Sequence, residues 1–100
     1  MLSVKVVQDT PDVTLLLEGE LDLGTGDLLR EAVARVDLTR AASITFSLDG
    51  LNFIDSTGVG QLIAYYKSFA ERNLPMRLAN DNEAIEEVLR LIGVREIMRS

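Results

Sequence analysis

Apolar residues recur in this chain with two different periods, and the order in which these periods alternate limits the folds that it can adopt. Near the N-terminus every second residue is apolar, at Val4 and Val6 and then at Val13, Leu15 and Leu17. This is the period of a β-strand that buries one face. Pro11-Asp12 lies between the two runs and predicts a turn. We therefore expect two strands before the first helix.

A helical spacing of three to four residues appears three times further along the chain. The turn Gly24-Thr25-Gly26-Asp27 offers a cap for the first helix, Asn73-Leu74-Pro75 ends the second, and Asn80 with Glu83 resembles a capping box for the third. Gly93 fits the left-handed position that closes the third helix. The predicted inward residues are Leu28, Leu29, Ala32, Val33 and Val36, then Val59, Leu62, Ile63, Tyr66, Phe69 and Ala70, then Ile85, Val88, Leu89 and Ile92.

Further strands are predicted between and after these helices. Ser43 to Leu48 alternates until Asp49-Gly50 breaks the run, Met76 to Ala79 is a short strand, and Arg95 to Met98 is a last one. The order ββαβαβα(β) predicts an α/β fold, a mixed sheet with helices packed mainly on one face. One hundred residues suit one domain, which we place at 1–100.

The composition excludes several classes of function. A net charge of −6 opposes binding to nucleic acid and to anionic membranes. No apolar run approaches the roughly 20 residues of a membrane span and no signal peptide is recognisable, so we expect a cytoplasmic protein. The chain contains no cysteine and no histidine, which removes thiolate chemistry, Ser-His-Asp catalysis and the commonest metal ligands. We expect neither enzyme activity nor a metal site.

Ser56 lies where a strand and its loop give way to the second helix, so its hydroxyl is expected beside unpaired backbone N–H groups. One interpretation is structural: Asp55, Ser56 or Thr57 caps the helix. Gly58 and Gly60 then only allow close packing. In the other interpretation an exposed Ser56 accepts a phosphate, which the N–H groups and the helix dipole stabilise. The residues alone leave both interpretations open.

Three short motifs stand in order on the predicted elements. Gly19-Glu20-Leu21-Asp22 precedes the first helix, Leu51 to Gly60 opens the second, and Leu91-Ile92-Gly93-Val94 follows the third. The chain thereby resembles the STAS-domain anti-sigma factor antagonists, in which a GELD-like turn and a DSSG or DSTG motif occupy these places. The resemblance covers nearly the whole chain, and three ordered motifs are a more specific signal than any one of them.

The resemblance implies a partner switch. The unphosphorylated protein would bind an anti-sigma factor serine kinase and free the sigma factor, and phosphorylation of Ser56 would end that binding until a metal-dependent serine phosphatase reverses it. The chain itself would carry no cofactor, because ATP and magnesium belong to the kinase. Thr57 is the second choice of acceptor. The partner-binding residues implied are Asp22, Asp55, Ser56, Thr57, Gly58 and Gly60.

Two alternatives and one departure accompany this interpretation. Related domains also serve as scaffolds or accessory subunits of signalling and transport complexes, where the serine would have no switching role. An enzyme hypothesis rests only on Asp55 and Ser56, and no base stronger than a carboxylate is at hand. Family members commonly continue into a further C-terminal helix, whereas this sequence reaches Ser100 soon after its last predicted strand. Contacts from that helix are therefore not carried over.

Overall fold

The computed structural model describes residues 1–98, so Arg99 and Ser100 at the end of the predicted domain lie outside the described residues. In chain order the elements are β1 (Leu2–Gln8), β2 (Asp12–Leu21), α1 (Gly26–Ala34), a 3-10 turn (Leu38–Arg40), β3 (Ser43–Ile54), α2 (Ser56–Glu71), β4 (Met76–Ala79), α3 (Glu83–Ile92) and α4 (Val94–Ile97).

The strands form a four-stranded mixed sheet in the order β1-β2-β3-β4. β1 pairs antiparallel with β2, whereas β2–β3 and β3–β4 are parallel pairs. Each parallel pair needs a crossover, which α1 and α2 provide. Because such crossovers are right-handed and both advance in the same direction across the sheet, they place the two helices on the same face. The predicted α/β fold with a mixed sheet is confirmed.

The core lies between this face and the helices. Alternation along β2 buries Val13, Leu15 and Leu17 completely, as the period of two predicts. Tyr65 of α2 stacks between two further aromatic rings, with centroids 6.1 Å from Phe46 and 5.5 Å from Phe69. The helices contribute the buried residues Leu29, Val33, Val59, Leu62, Phe69, Ile85 and Leu89. Three predicted inward residues are instead exposed at the surface: Leu28, Ala70 and Ile92.

The prediction that Asp49-Gly50 breaks the third strand is wrong, since β3 continues to Ile54. Ser47 pairs with Leu16 and Gly50 with Glu18, so β3 takes up one extra residue in a bulge instead of ending. A Cβ on Gly50 would lie 2.8 Å from the carbonyl oxygen of Leu17. Glycine is thus required here by close approach of the neighbouring strand, and the extension carries β3 up to the start of α2.

Two predictions near the C-terminus also need correction. Residues from Arg95 to Met98 are not a strand, because the N–H groups of Ile97 and Met98 donate to the carbonyls four residues earlier and form α4. The cap of α3 is Asn82 and not Asn80: its side-chain oxygen accepts from the N–H groups of Ala84 and Ile85 at 2.9 and 3.3 Å. Gly93 does adopt the predicted left-handed conformation, with φ 81°.

Candidate functional site

Ser56 is the first residue of α2, and the residue before it makes the cap. Asp55 has an extended backbone, and its Oδ1 accepts the N–H of Gly58 at 2.8 Å. The capping role that the sequence left open among three residues therefore belongs to Asp55. Ser56 is exposed, and within residues 1–98 no hydrogen bond engages its hydroxyl. The hydroxyl of Ser56 is thus not used in capping the helix.

The second carboxylate oxygen of Asp55 joins the start of α2 to the turn after β2. Its Oδ2 accepts the N–H of Leu23 at 3.4 Å, and the backbone N–H of Asp55 donates to the carbonyl of Leu21 at 3.3 Å. Asp22 lies between these two contacts in the chain. The structure therefore places Asp22 beside Asp55, which is 33 positions further along the chain.

Gly58 permits this close approach, and Gly60 does not contribute to it. A Cβ on Gly58 would lie 2.5 Å from the carbonyl oxygen of Leu21 and 2.9 Å from its Cγ. No atom would meet a Cβ on Gly60 within 4 Å, and that residue is exposed. Gly58 is buried, so its contribution to a docking surface is to bring the helix start against the end of β2.

A groove of about 730 Å³ runs between α1 and α2 next to Ser56. Thr57 lines it together with Asp22, Asp27 and Arg30. The side-chain amide of Gln61 crosses from α2 to donate to the Gly26 carbonyl at 2.8 Å, which fixes the spacing of the two helices. Arg30 already pairs with Asp27, so the carboxylates of Asp22 and Asp55 dominate the charge around the start of α2. The site presents an acidic rim to an approaching partner.

The family follows from a comparison of the whole chain with known protein families. The model of the STAS domain family matches residues 3–100. The chain belongs to the STAS domain family. The three motifs that carry the sequence resemblance all fall within the matched range.

Two relatives of this STAS domain are anti-sigma factor antagonists. The anti-sigma F factor antagonist of Paenibacillus polymyxa is 33% identical over 86 residues, which cover 82% of this chain and 71% of the relative. The anti-sigma-B factor antagonist of Bacillus subtilis (strain 168) is 24% identical over 97 residues, which cover 97% of this chain and 88% of the relative.

Solved structures agree with the STAS fold. The crystal structure of an anti-sigma factor antagonist from Mycobacterium paratuberculosis has a TM-score of 0.83 at 19% identity, covering 96% of this chain and 81% of that one. The Bacillus cell fate determinant SpoIIAA in its phosphorylated form has a TM-score of 0.65 at 18% identity, covering 96% and 86%. At such identities the likeness establishes the fold alone.

Sequence reasoning missed how the turn of this STAS domain is braced. Thr25 is only 7% exposed, and its hydroxyl accepts the N–H of Asp22 at 2.9 Å and donates to the carbonyl of Glu20, also at 2.9 Å. The Asp22 carboxylate in turn accepts the N–H of Gly24 at 3.0 Å. These bonds hold the glycine-rich turn from Gly24 to Gly26 in place. A threonine between two glycines was the available signal.

Among residues 1–98, no cluster of three or more acidic, histidine or cysteine side chains could hold a metal ion. None of the helices within that range combines the length and apolarity that crossing a membrane requires.

Proposed function

We propose that this STAS domain is an anti-sigma factor antagonist. In its unphosphorylated form it binds an anti-sigma factor that is also a serine kinase, and the sigma factor is thereby released. Phosphorylation of Ser56 ends the binding. One observation carries the proposal: Ser56, the first residue of α2, is exposed, and Asp55 rather than Ser56 caps the helix. The descriptions of the relatives support the general function.

The local geometry favours Ser56 as the phosphate acceptor. The first N–H groups of a helix have no partner within the helix, and they lie at the positive end of its dipole. Asp55 uses the N–H of Gly58. The N–H groups of Ser56 and Thr57 precede it and are available to a phosphate. Thr57 lines the groove instead of standing at its end, which makes it the second choice.

Charge explains why the phosphate would switch binding off. A phosphoserine adds about −1.5 to −2 charges at neutral pH. It would stand next to the carboxylates of Asp55 and Asp22, on a chain whose net charge is already −6. A partner surface that fits the unmodified serine would have to accommodate a hydrated dianion, which requires room and desolvation. The kinase would supply ATP and magnesium, and a metal-dependent serine phosphatase would restore the binding form.

Mapping of the phosphate tests the acceptor. The purified chain is incubated with each anti-sigma factor kinase of the same genome and Mg-ATP, and the phosphopeptides are sequenced by tandem mass spectrometry. We expect one phosphate, on Ser56, which Ser56→Ala abolishes and Thr57→Val leaves in place. A phosphate on Thr57 alone, or none with any kinase, would contradict the proposal.

A further inference from the structure

Two large apolar side chains are exposed at the edge of the sheet where α2 begins with Ser56. Leu23 is 78% exposed in the turn after β2, and its N–H is the group that donates to Asp55. Phe53 is 49% exposed and lies two residues before Asp55, near the end of β3. β2 and β3 are parallel, so their carboxyl ends meet at the same edge of the sheet as the start of α2. Both side chains therefore lie at the edge that carries Ser56.

We propose that Leu23 and Phe53 are the apolar anchors by which this surface seats in a cleft of the anti-sigma factor kinase, bordered there by basic side chains. The inference rests on the proposed function and adds the residues that carry affinity. A single exposed leucine is ordinary on a protein surface. Two large apolar groups beside a modification site are a different case, because binding energy concentrates in a few central side chains that are fully desolvated in the complex.

The charges around the anchors identify the occupant. Asp22 precedes Leu23 directly and Asp55 accepts its N–H, whereas Asp27 in the adjoining groove is paired with Arg30. An apolar cleft with basic side chains at its border would complement both the apolar anchors and the carboxylates of this surface. A second copy of this chain would bring the same carboxylates face to face and would be repelled. The partner therefore has a cleft that is apolar inside and positively charged at its border.

The anchors also explain how one phosphate could undo a whole interface. Seating Leu23 and Phe53 in a cleft would bring Ser56, at the same edge of the sheet, close to the partner and exclude water from it. A hydroxyl can be buried there with one hydrogen bond, whereas a phosphate dianion loses its hydration. Without the anchors the phosphate would remain hydrated at the rim, where added charge changes affinity less.

The test compares variants with equal exposure. Leu91 on α3 is also 78% exposed, so Leu91→Asp introduces the same charge at the same exposure outside the proposed surface. Wild type, Leu23→Asp, Leu23→Ala, Phe53→Ala and Leu91→Asp are titrated calorimetrically against the purified anti-sigma factor kinase with Mg-ADP. Thermal unfolding of each variant checks that it is folded. We expect Leu23→Asp and Phe53→Ala to bind at least about tenfold more weakly, with Leu91→Asp close to wild type.

Each other outcome overturns a defined part of the account. If Ser56→Asp loses binding but both Leu23 variants bind like wild type, the anchors are wrong and the proposed function stands. If no anti-sigma factor kinase of the genome binds the wild type, both fail. Sedimentation equilibrium of the chain alone measures its oligomeric state. If the wild type is a dimer and Leu23→Asp is a monomer, the surface serves self-association and the proposal is overturned.

Discussion

The Oδ1 atom of Asp55 accepts the backbone N–H of Gly58 at 2.8 Å, so Asp55, and not the adjacent Ser56, caps α2. Structure and chemistry are thus divided between adjacent residues. Changes at Ser56 should leave the fold nearly untouched, because surface substitutions away from caps usually change stability by less than about 0.5 kcal/mol. This separation makes the proposed switch accessible to mutagenesis.

Substitution of Asp55 should separate capping from charge. Asp55→Ala should lower the free energy of unfolding by about 1 kcal/mol, because one N-terminal N–H loses its partner. Asp55→Asn should keep most of that stability, since asparagine caps as well as aspartate. Urea unfolding measures both variants. Equal losses in the two would show that the charge or the second oxygen of the carboxylate, which accepts the N–H of Leu23, and not the cap, stabilises the helix start.

The two glycines of the serine segment should respond in opposite directions to the same change. Gly58→Ala should destabilise the protein by about 1–3 kcal/mol, because its Cβ would lie 2.5 Å from the Leu21 carbonyl oxygen. Gly60→Ala should stabilise it by about 0.5–1 kcal/mol, since it lies inside α2 with open space around it. Midpoints of chemical unfolding provide the measurement. Similar effects at both positions would contradict the contact between α2 and the end of β2.

A second matched pair tests the glycine of the first motif. Gly19 has φ +102° and a Cβ there would clash with the Met1 carbonyl oxygen, whereas Gly93 has φ +81° with open space. Gly93→Ala should therefore cost about 1 kcal/mol from backbone strain alone. Gly19→Ala adds a clash with β1 and should cost clearly more in a thermal or urea melt. Equal losses of stability in the two variants would mean that the chain at the start of β1 moves aside without an energetic cost.

Stability should depend on pH through Glu86. Hydrogen bonds from the Arg95 guanidinium, at 3.0 and 3.2 Å, and from the Asn80 amide hold the pKa of Glu86 below its ordinary value. A lowered pKa in the folded state contributes stability above the unfolded pKa, and this contribution is lost as the pH falls through the folded value. Glu86→Gln should therefore be less stable than wild type at neutral pH.

The difference between Glu86→Gln and wild type should shrink on acidification to about pH 3, below the ordinary pKa of a glutamate. Unfolding free energies at several pH values provide the check, and a difference that is constant with pH would be contrary to this account. Arg95→Met serves as a comparison. It also removes the bond from Arg95 to the Leu78 carbonyl at 3.0 Å, so it should cost more at neutral pH than Glu86→Gln.

The fold was largely predictable because its strands and helices have clear periods, as Val13, Leu15 and Leu17 illustrate. The predictions of secondary structure fail where a tertiary contact determines the local conformation. Gly50 continues a strand because Leu17 and Glu18 approach it, which no local pattern reveals. Residues 95–98 are too few for a period of two to be told from a helical one. Asn80 and Asn82 are the same residue type two positions apart, so only geometry assigns the cap.

The site was predictable in part for the same reason. The motif aspartate and serine identified the helix start. The sequence left three residues as candidates for the cap, and the hydrogen bond of Asp55 in the structure assigns it. The proximity of the turn at Asp22 to the start of α2 came from the resemblance, because a contact across 32 positions, such as that of Leu23 with Asp55, leaves no local signal. Leu23 was missed because an apolar residue in a turn does not tell from sequence alone whether it is buried or exposed.

The central claim is that the state of Ser56 controls binding, and it is tested most directly by the affinity of two variants for the anti-sigma factor kinase. Calorimetric titrations should find Ser56→Ala close to wild type, since the hydroxyl makes no hydrogen bond within the described chain. Ser56→Asp places a charge beside Asp55 and should bind at least about tenfold more weakly. If the two variants bind the kinase equally well, Ser56 is not the switch.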